Sequence, residues 1–530
     1  MSEPHPADPA DVSGADERVL ILDYGSQYTQ LIARRVRELG VYAEIHPGDW
    51  DGEAIAAFAP RAIILSGGPA SVLDAGSLRI PDRVFALGVP LLGICYGMQA
   101  LALQLGGEVE EGWPREYGSA EIELRSSAPL FDGIRDSADG AGRLSVWMSH
   151  GIRVKKLPPD FVLLAGNAAT PIAAMAHASR PWYGIQFHPE VRHTPLGMHL
   201  LQNFLRGIAG LGNHWQMDRF EETACRRLRA ELPSGRVLVA LSGGVDSAVL
   251  TALLARAIGD RLVPILVDTG LLREGEVTAI QEVFAHFPFT LRVVDAGARF
   301  FAALTGVSDP EAKRRRIGSL FIDVFTEEAR KLPDIRYLAQ GTIYPDVIES
   351  AGSGGSAQVI KSHHNVGGLP ERLPFPLVEP LRFLFKDEVR ALGRTLGLPA
   401  RIIGRQPFPG PGLAVRVLGP VTRESVLTLR QADRIFLEEL ERSGLLGETS
   451  QAFAVLLPVS SVAVKGDGRA YEPVVALRAV VTDDFMTAHA APLPLELLTR
   501  VANRITNEVP GISRVVYDIT GKPPATIEWE

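Results

Sequence analysis

Twice along this chain, an apolar run ends in a glycine turn and passes straight into a helix with an apolar face. VPLLGIC (89–95) runs into Tyr96-Gly97 and the helical stretch behind it, and RVLVAL (236–241) runs into Ser242-Gly243-Gly244. Near-continuous Val/Ile/Leu runs separated by helices indicate strands buried on both faces, and therefore parallel sheets covered on both sides. RVLILDYG (18–25), AIILSGG (62–68) and WYGIQF (182–187) extend the first set, and residues 114–183 are richer in strand pattern. LVPILVD (262–268), TLRVVDA (290–296) and DIRYLAQG (334–341) extend the second at parallel-crossover spacing. Helices are expected at 29–39, stopped by Gly40, at 194–208, and around FKDEVRALGRTLG.

From Gly404 the pattern changes. Strand LAVRVL, helix 422–442, strands 452–464 and 473–481, helix 493–508 and strand 513–519 read as β-α-β-β-α-β, a split α+β layer. The expected fold class is therefore α/β: two doubly wound, mainly parallel-sheet domains followed by a smaller α+β domain. The expected boundaries are a tail at 1–17 and domains at 18–214, 215–405 and 406–530. The 530 residues agree with that number at ~150 residues per domain. The tail carries five acids, three prolines and no Lys or Arg, so it reads as disordered and not as a signal peptide. No apolar run approaches a membrane span of ~18 residues. A formal charge of −8 argues against a nucleic-acid-coating protein, and two cysteines exclude a disulfide framework. These features predict a cytoplasmic protein with no nucleic-acid or membrane partner.

Cys95 lies in Gly93-Ile94-Cys95-Tyr96-Gly97, between a strand and a helix N-terminus. By itself, a cysteine there is most often a small packed hydrophobe. Flanking glycines, however, permit the sharp turn of a nucleophile elbow, and the helix N-terminus favours a thiolate. Gln186-Phe187-His188-Pro189-Glu190 ends another strand, and period two puts His188 and Glu190 on one side. A carboxylate can then fix the imidazole tautomer. The Tyr96 N–H and the turn containing Gly67 are candidate oxyanion donors. GICYGMQ and GIQFHPEV resemble the class-I glutamine amidotransferases over most of 18–210. That resemblance implies Cys95, His188 and Glu190 as a triad that hydrolyses glutamine through a glutamyl thioester.

Ser242-Gly243-Gly244-Val245-Asp246-Ser247-Ala248 offers an anion-binding nest at a second helix N-terminus, without the Lys of a Walker loop. It resembles the loop of the ATP pyrophosphatases. The resemblance implies cleavage between the α and β phosphates with Mg²⁺ accompanying ATP, and it places Val267 and Asp268 near the adenosine. Lys361, His363 and His364 follow the glycine-serine segment 350–356 and read as a lid over the phosphates. Lys313-Arg314-Arg315-Arg316 reads first as a solvated basic face, with phosphate binding as the second reading.

PFPGPGLAVRVLG, VKGDGRAYEPVVALRAV and the ending VVYDITGKPPATIEWE resemble the glutamine-hydrolysing GMP synthetase family across nearly the whole chain after the tail. This implies amination of XMP through an O2-adenylyl intermediate, with Arg416, Lys522 and Glu528 as candidate XMP ligands. It also implies a homodimer formed through the C-terminal domain. In the last residues, Ile527 and Trp529 are expected to bury one face. Thr269 and Gln406 depart from the family, which often has Asn and His there. The alternatives are an NAD synthetase-like enzyme, separated by its acceptor, and a catalytically silent nucleotide sensor, disfavoured by the intact Cys95 set and SGGVDS loop.

Overall fold

The computed structural model describes residues 17–134, 142–352, 375–465, 468–482, 485 and 487–530. The chain divides into two compact units, Met1–Thr223 and Ala224–Glu530. The expected boundary at 405/406 falls inside the second unit, between its two sheets.

The first unit is built on nine strands. They are β1 Arg18–Asp23, β2 Tyr42–Pro47, β3 Ala62–Leu65, β4 Leu91–Ile94, β5 Glu108–Leu124, β6 Arg143–Lys156, β7 Phe161–Gly166, β8 Ala174–His177 and β9 Trp182–Ile185. Their order is β2-β1-β3-β4-β9-β8-β7-β5-β6. The pairs from β2 through β9 are parallel, and the rest are antiparallel. β1, β3, β4 and β9 are apolar because both faces are covered, and their interior residues are almost wholly buried. β2, missed in the sequence, sits at the edge. Its Glu44 and His46 pair with each other, which breaks the apolar run that marks its neighbours. The helix expected over 194–208 begins as Gly197–Gln202 and widens into a π-type turn, Asn203–Ile208.

In the second unit, β10 Arg236–Ala240, β11 Leu262–Asp268, β12 Arg292–Asp295, β13 Ile335–Ala339 and β14 Leu377–Val378 form an all-parallel sheet. Its order is β12-β11-β10-β13-β14. β15 Gln451–Lys465, β16 Gly468–Val481, β17 His489–Ala490 and β18 Arg514–Asp518 form the other sheet. Helices Arg423–Arg442 and Leu495–Glu508 pack on it. One hydrophobic core runs under both sheets, from Ile265 and Phe325 to Phe436 and Val501.

The expected strand LAVRVL is instead a short 3₁₀ turn, Gly412–Arg416, with a single bridge from Val417 to Leu456. Two features of the local structure explain this. Gly412 turns at φ +64°, with its missing Cβ only 2.4 Å from the Leu271 carbonyl oxygen. Lys313 Nζ then donates to the carbonyls of Ala414 (3.2 Å) and Val417 (2.7 Å), acceptors that a sheet neighbour would otherwise take. Lys313 is therefore fully buried and not part of a solvated basic face. Its ammonium also meets Glu530 Oε2 at 2.5 Å.

Candidate active sites

β4 ends where its apolar sequence ends, and the chain turns at Cys95 with φ +51° and ψ −104°. A non-glycine residue in that region is strained, and the surrounding structure must hold it there. Two glycines make the turn possible. A Cβ on Gly93 would lie 2.7 Å from backbone atoms of Gly97, and one on Gly97 would lie 2.5 Å from the Leu65 oxygen. The Cys95 N–H is held by the Ile185 carbonyl at 2.8 Å, and the Gly97 N–H by the Ser66 carbonyl at 3.0 Å. The helix Tyr96–Gln104 starts at once, so the thiol stands at its N-terminal end.

β9 brings the partner. His188 Nδ1 lies 2.7 Å from Glu190 Oε1, and both residues are buried. The His188 carbonyl accepts from Thr194 Oγ1 at 2.6 Å, and the Glu190 carbonyl from Arg35 Nε at 3.0 Å, so the turn is pinned at both ends. Burial by itself would depress the His188 pKa. The Glu190 carboxylate and the Cys95 thiol outweigh it and raise the pKa well above the usual histidine value. Sequence reasoning did not foresee two further contacts. Gln186 Nε2 approaches Cys95 Sγ at 3.5 Å, and the thiol faces the Ser149 carbonyl at 3.8 Å. Gly67 packs against the imidazole edge, with its Cβ position 3.3 Å from His188 Cε1. Cys95 and His188 both line a cavity of about 640 Å³, walled by the Gly68–Ser71 turn and by Ser149–Ile152.

The second turn follows β10. Gly243 has φ +78°, and Gly244 starts the helix Val245–Ile258. The Ser242 and Ser247 hydroxyls meet across the turn at 3.1 Å, and Ser247 Oγ also accepts from the Ser242 N–H at 3.2 Å. Ala248 closes the first helical turn on the Gly244 carbonyl at 3.1 Å. Asp246 Oδ2 is 2.6 Å from Lys386 Nζ, while its Oδ1 is buried without a partner. The Gly243 carbonyl accepts from Arg405, whose guanidinium also pairs with Glu276. Burial, then the nearby Arg273 charge, push Arg405 down to about 10. Val267 and Asp268 end the neighbouring strand β11, with Asp268 Oδ1 accepting from the Gly270 N–H at 2.9 Å. Thr269 Oγ1 accepts from the Leu271 N–H at 3.2 Å. The expected lid residues Lys361, His363 and His364 lie outside the described residues.

The three residues expected at the acceptor fall into two places. Arg416 is fully buried and forms a bidentate pair with Glu528, at 3.1 and 2.8 Å. Its guanidinium stacks over Phe453 and Phe408, and Gln451 Nε2 donates to Glu528 at 2.6 Å. Lys522 stands apart, with Nζ on the Phe485 carbonyl at 2.7 Å. Ile527 is buried as expected, whereas Trp529 is exposed and donates to Asp518 at 3.1 Å. The side-chain amide of Gln406 is fully engaged. Its Nε2 donates to the Leu446 and Thr449 carbonyls, and its Oε1 accepts from the Ala452 N–H at 2.8 Å.

The glutamine amidotransferase class-I family model matches residues 20–208, and the GMP synthase C-terminal domain model matches 438–529. A GMP synthase [glutamine-hydrolyzing] of Thiobacillus denitrificans is 59% identical over 97% of this chain and 100% of its own length. Enzymes so named from Edwardsiella ictaluri and Pseudomonas aeruginosa are each 57% identical over 97% of this chain, covering 99% and 98% of their own lengths. None of these findings favours an NAD synthetase-like enzyme or a silent sensor. By both of its matched domains and by identity along nearly its whole length, the chain belongs to the glutamine-hydrolysing GMP synthase family.

Proposed function

We infer that the protein makes GMP from XMP, ATP and glutamine, with its two turns dividing the chemistry. The carrying observation is the strained Cys95 turn facing the buried His188–Glu190 pair in one cavity. His188, held as imidazolium by Glu190, stabilises the Cys95 thiolate, which attacks the glutamine carboxamide carbon. The Tyr96 N–H, beside the Gly67 turn, receives the developing oxyanion. His188 gives its proton to the departing ammonia, and water then releases glutamate from the thioester.

At the other turn, the Ser242–Ser247 nest holds the β and γ phosphates while O2 of XMP attacks the α-phosphorus and pyrophosphate leaves. Ammonia then displaces AMP from C2. A Mg²⁺ ion accompanying ATP would neutralise phosphate charge there, and a carboxylate of the turn would help to hold it. The partnerless Asp246 Oδ1 fits such a ligand. Lys361, His363 and His364 are assigned to the lid, and Val267 and Asp268 to the adenosine. Lys522 is assigned to the XMP phosphate, and the buried Arg416 to holding Glu528 towards the ligand.

The homodimer reading rests on Val462, Val464 and Tyr471, all exposed on the β15–β16 arm. The cytoplasmic reading rests on the sequence having only two cysteines, Cys95 and Cys225, both buried. No described helix is long and apolar enough to cross a membrane. Incubation with XMP and ATP, using either glutamine or ammonium as nitrogen donor, tests the whole assignment. GMP should form with both donors, and failure with both would refute it.

A further inference from the structure

Five ionisable side chains of Asp, Glu, Arg or His line the Cys95 cavity: Asp74, Glu111, Arg115, His150 and His188. Three are committed within the protein. Asp74 accepts from the Ser71 N–H at 3.3 Å, and His188 is held by Glu190. His150 lies 3.3 Å from Thr170 Oγ1 and 3.7 Å from Glu116. Glu111 and Arg115 have no hydrogen bond or ion pair among the described residues, and they are opposite in charge.

Their backbone position is fixed. β5 pairs with β6 at Glu111↔Ile152 and again at Glu116↔His150, so the four residues 112–115 bulge out against Gly151 alone. Glu116 anchors the far end through Asn167 Nδ2 at 3.0 Å and through Thr170. Arg115 lies across Gly151, whose Cβ position would be 3.3 Å from Arg115 Cδ and Nε. Strand bulges of this kind re-aim side chains beside active sites. Ser149, next to this stretch, supplies the carbonyl that faces the thiol.

Glutamine is a carboxamide that also carries an α-carboxylate and an α-ammonium, both borne on a carbon three carbon–carbon bonds from the carbon under attack. A cavity that holds the carboxamide at Cys95 must accommodate both charges further out. We propose that Arg115 takes the α-carboxylate and Glu111 the α-ammonium, making the cavity selective for an α-amino-acid carboxamide. The proposal rests on the glutaminase reading of the cavity and deepens it. A guanidinium suits this role because its planar fork matches a carboxylate.

Arg115→Ala, Arg115→Lys and Glu111→Gln, made in the full chain, test the proposal. Arg115→Ala should raise the glutamine KM about 10-fold or more with kcat little changed, and Arg115→Lys should recover part of the loss. Glu111→Gln should raise the KM in the same direction. Labelling of Cys95 by 6-diazo-5-oxo-L-norleucine, which carries both α-groups, should slow in step with KM. Labelling by iodoacetamide, which carries neither, should be unchanged. An unaltered glutamine KM in both the Arg115→Ala and Glu111→Gln variants, with normal iodoacetamide labelling, would overturn the proposal. If the unsubstituted protein resists both reagents at Cys95, the glutaminase reading itself fails, and this proposal fails with it.

Discussion

The turns after β4 and β10 have the same plan, an apolar strand, a glycine-bearing corner and a helix N-terminus, yet they are finished differently. At Cys95 the partners are protein groups in final position: His188 on Glu190, Gln186 on the thiol, and two glycines that leave no room for a methyl group. At Ser242–Ser247 the hydroxyls bond to one another, and Asp246 is held by Lys386 with one oxygen left over. A nucleophile has to be held in reacting geometry by the fold, since a small displacement costs rate. A phosphate nest needs only to offer backbone N–H groups, because the ligand brings its own charge. On the proposed reading, one corner is complete without its substrate, and the other is completed by it.

The sharpest way to break the comparison is Cys95→Ala. Glutamine-driven GMP formation should fall at least ~10³-fold while the ammonium-driven reaction persists, as parallel assays with the two donors would reveal. Equal loss with both donors would mean that the two corners do not act separately. Steric tolerance should differ next. Gly97→Ala forces a Cβ to 2.5 Å from the Leu65 oxygen, whereas Gly244→Ala meets only Ser242 Oγ at 3.4 Å in an extended backbone. Chemical denaturation should show a loss of about 3 kcal/mol for the first and under about 0.5 kcal/mol for the second. Matching losses would erase the distinction between a closed and an open corner.

Asp246→Asn should slow the ATP-dependent step about 10-fold and leave iodoacetamide labelling of Cys95 as it was. Normal adenylation would remove Asp246 from the phosphate site. The smallest effect is in pH dependence. Because Glu190 and Cys95 raise the folded-state pKa of His188 over the opposing effect of burial, its stabilising contribution is complete below about pH 6.5. It is lost as pH rises through the folded value. The stability gap between the protein and Glu190→Gln should therefore be widest in mild acid and narrow on the alkaline side. Thermal unfolding over a pH series would measure it, and a gap that widens with pH would contradict the assignment.

The sequence made both corners legible for a shared reason. Each is local, compressed into six or seven residues, so that glycines, polar tips and apolar flanks can be read together even where each alone has a commoner structural use. Cys95 and His188 needed only the additional step of placing two strand ends in one sheet. What escaped reading depends on distant partners. Nothing near Lys313 marks it as buried, because the carbonyls and the carboxylate that neutralise it lie about a hundred residues or more away. Arg416 and Glu528 were read separately as ligands, and their pairing crosses 112 residues. LAVRVL has strand composition, and it fails to form a strand because that buried lysine takes its carbonyls.

That lysine also sets an order of events during synthesis. The first unit has its last strand, β9, by residue 185. Lys313 waits 217 residues for Glu530, which at translation speeds of 5–20 residues per second is about 10 to 40 s. Through that interval the nascent second unit contains an ammonium destined for its interior with no carboxylate to meet it. The interior around Lys313 is complete only once Glu530 has been made, so the earlier unit can finish folding while the later one still lacks a partner for its buried charge.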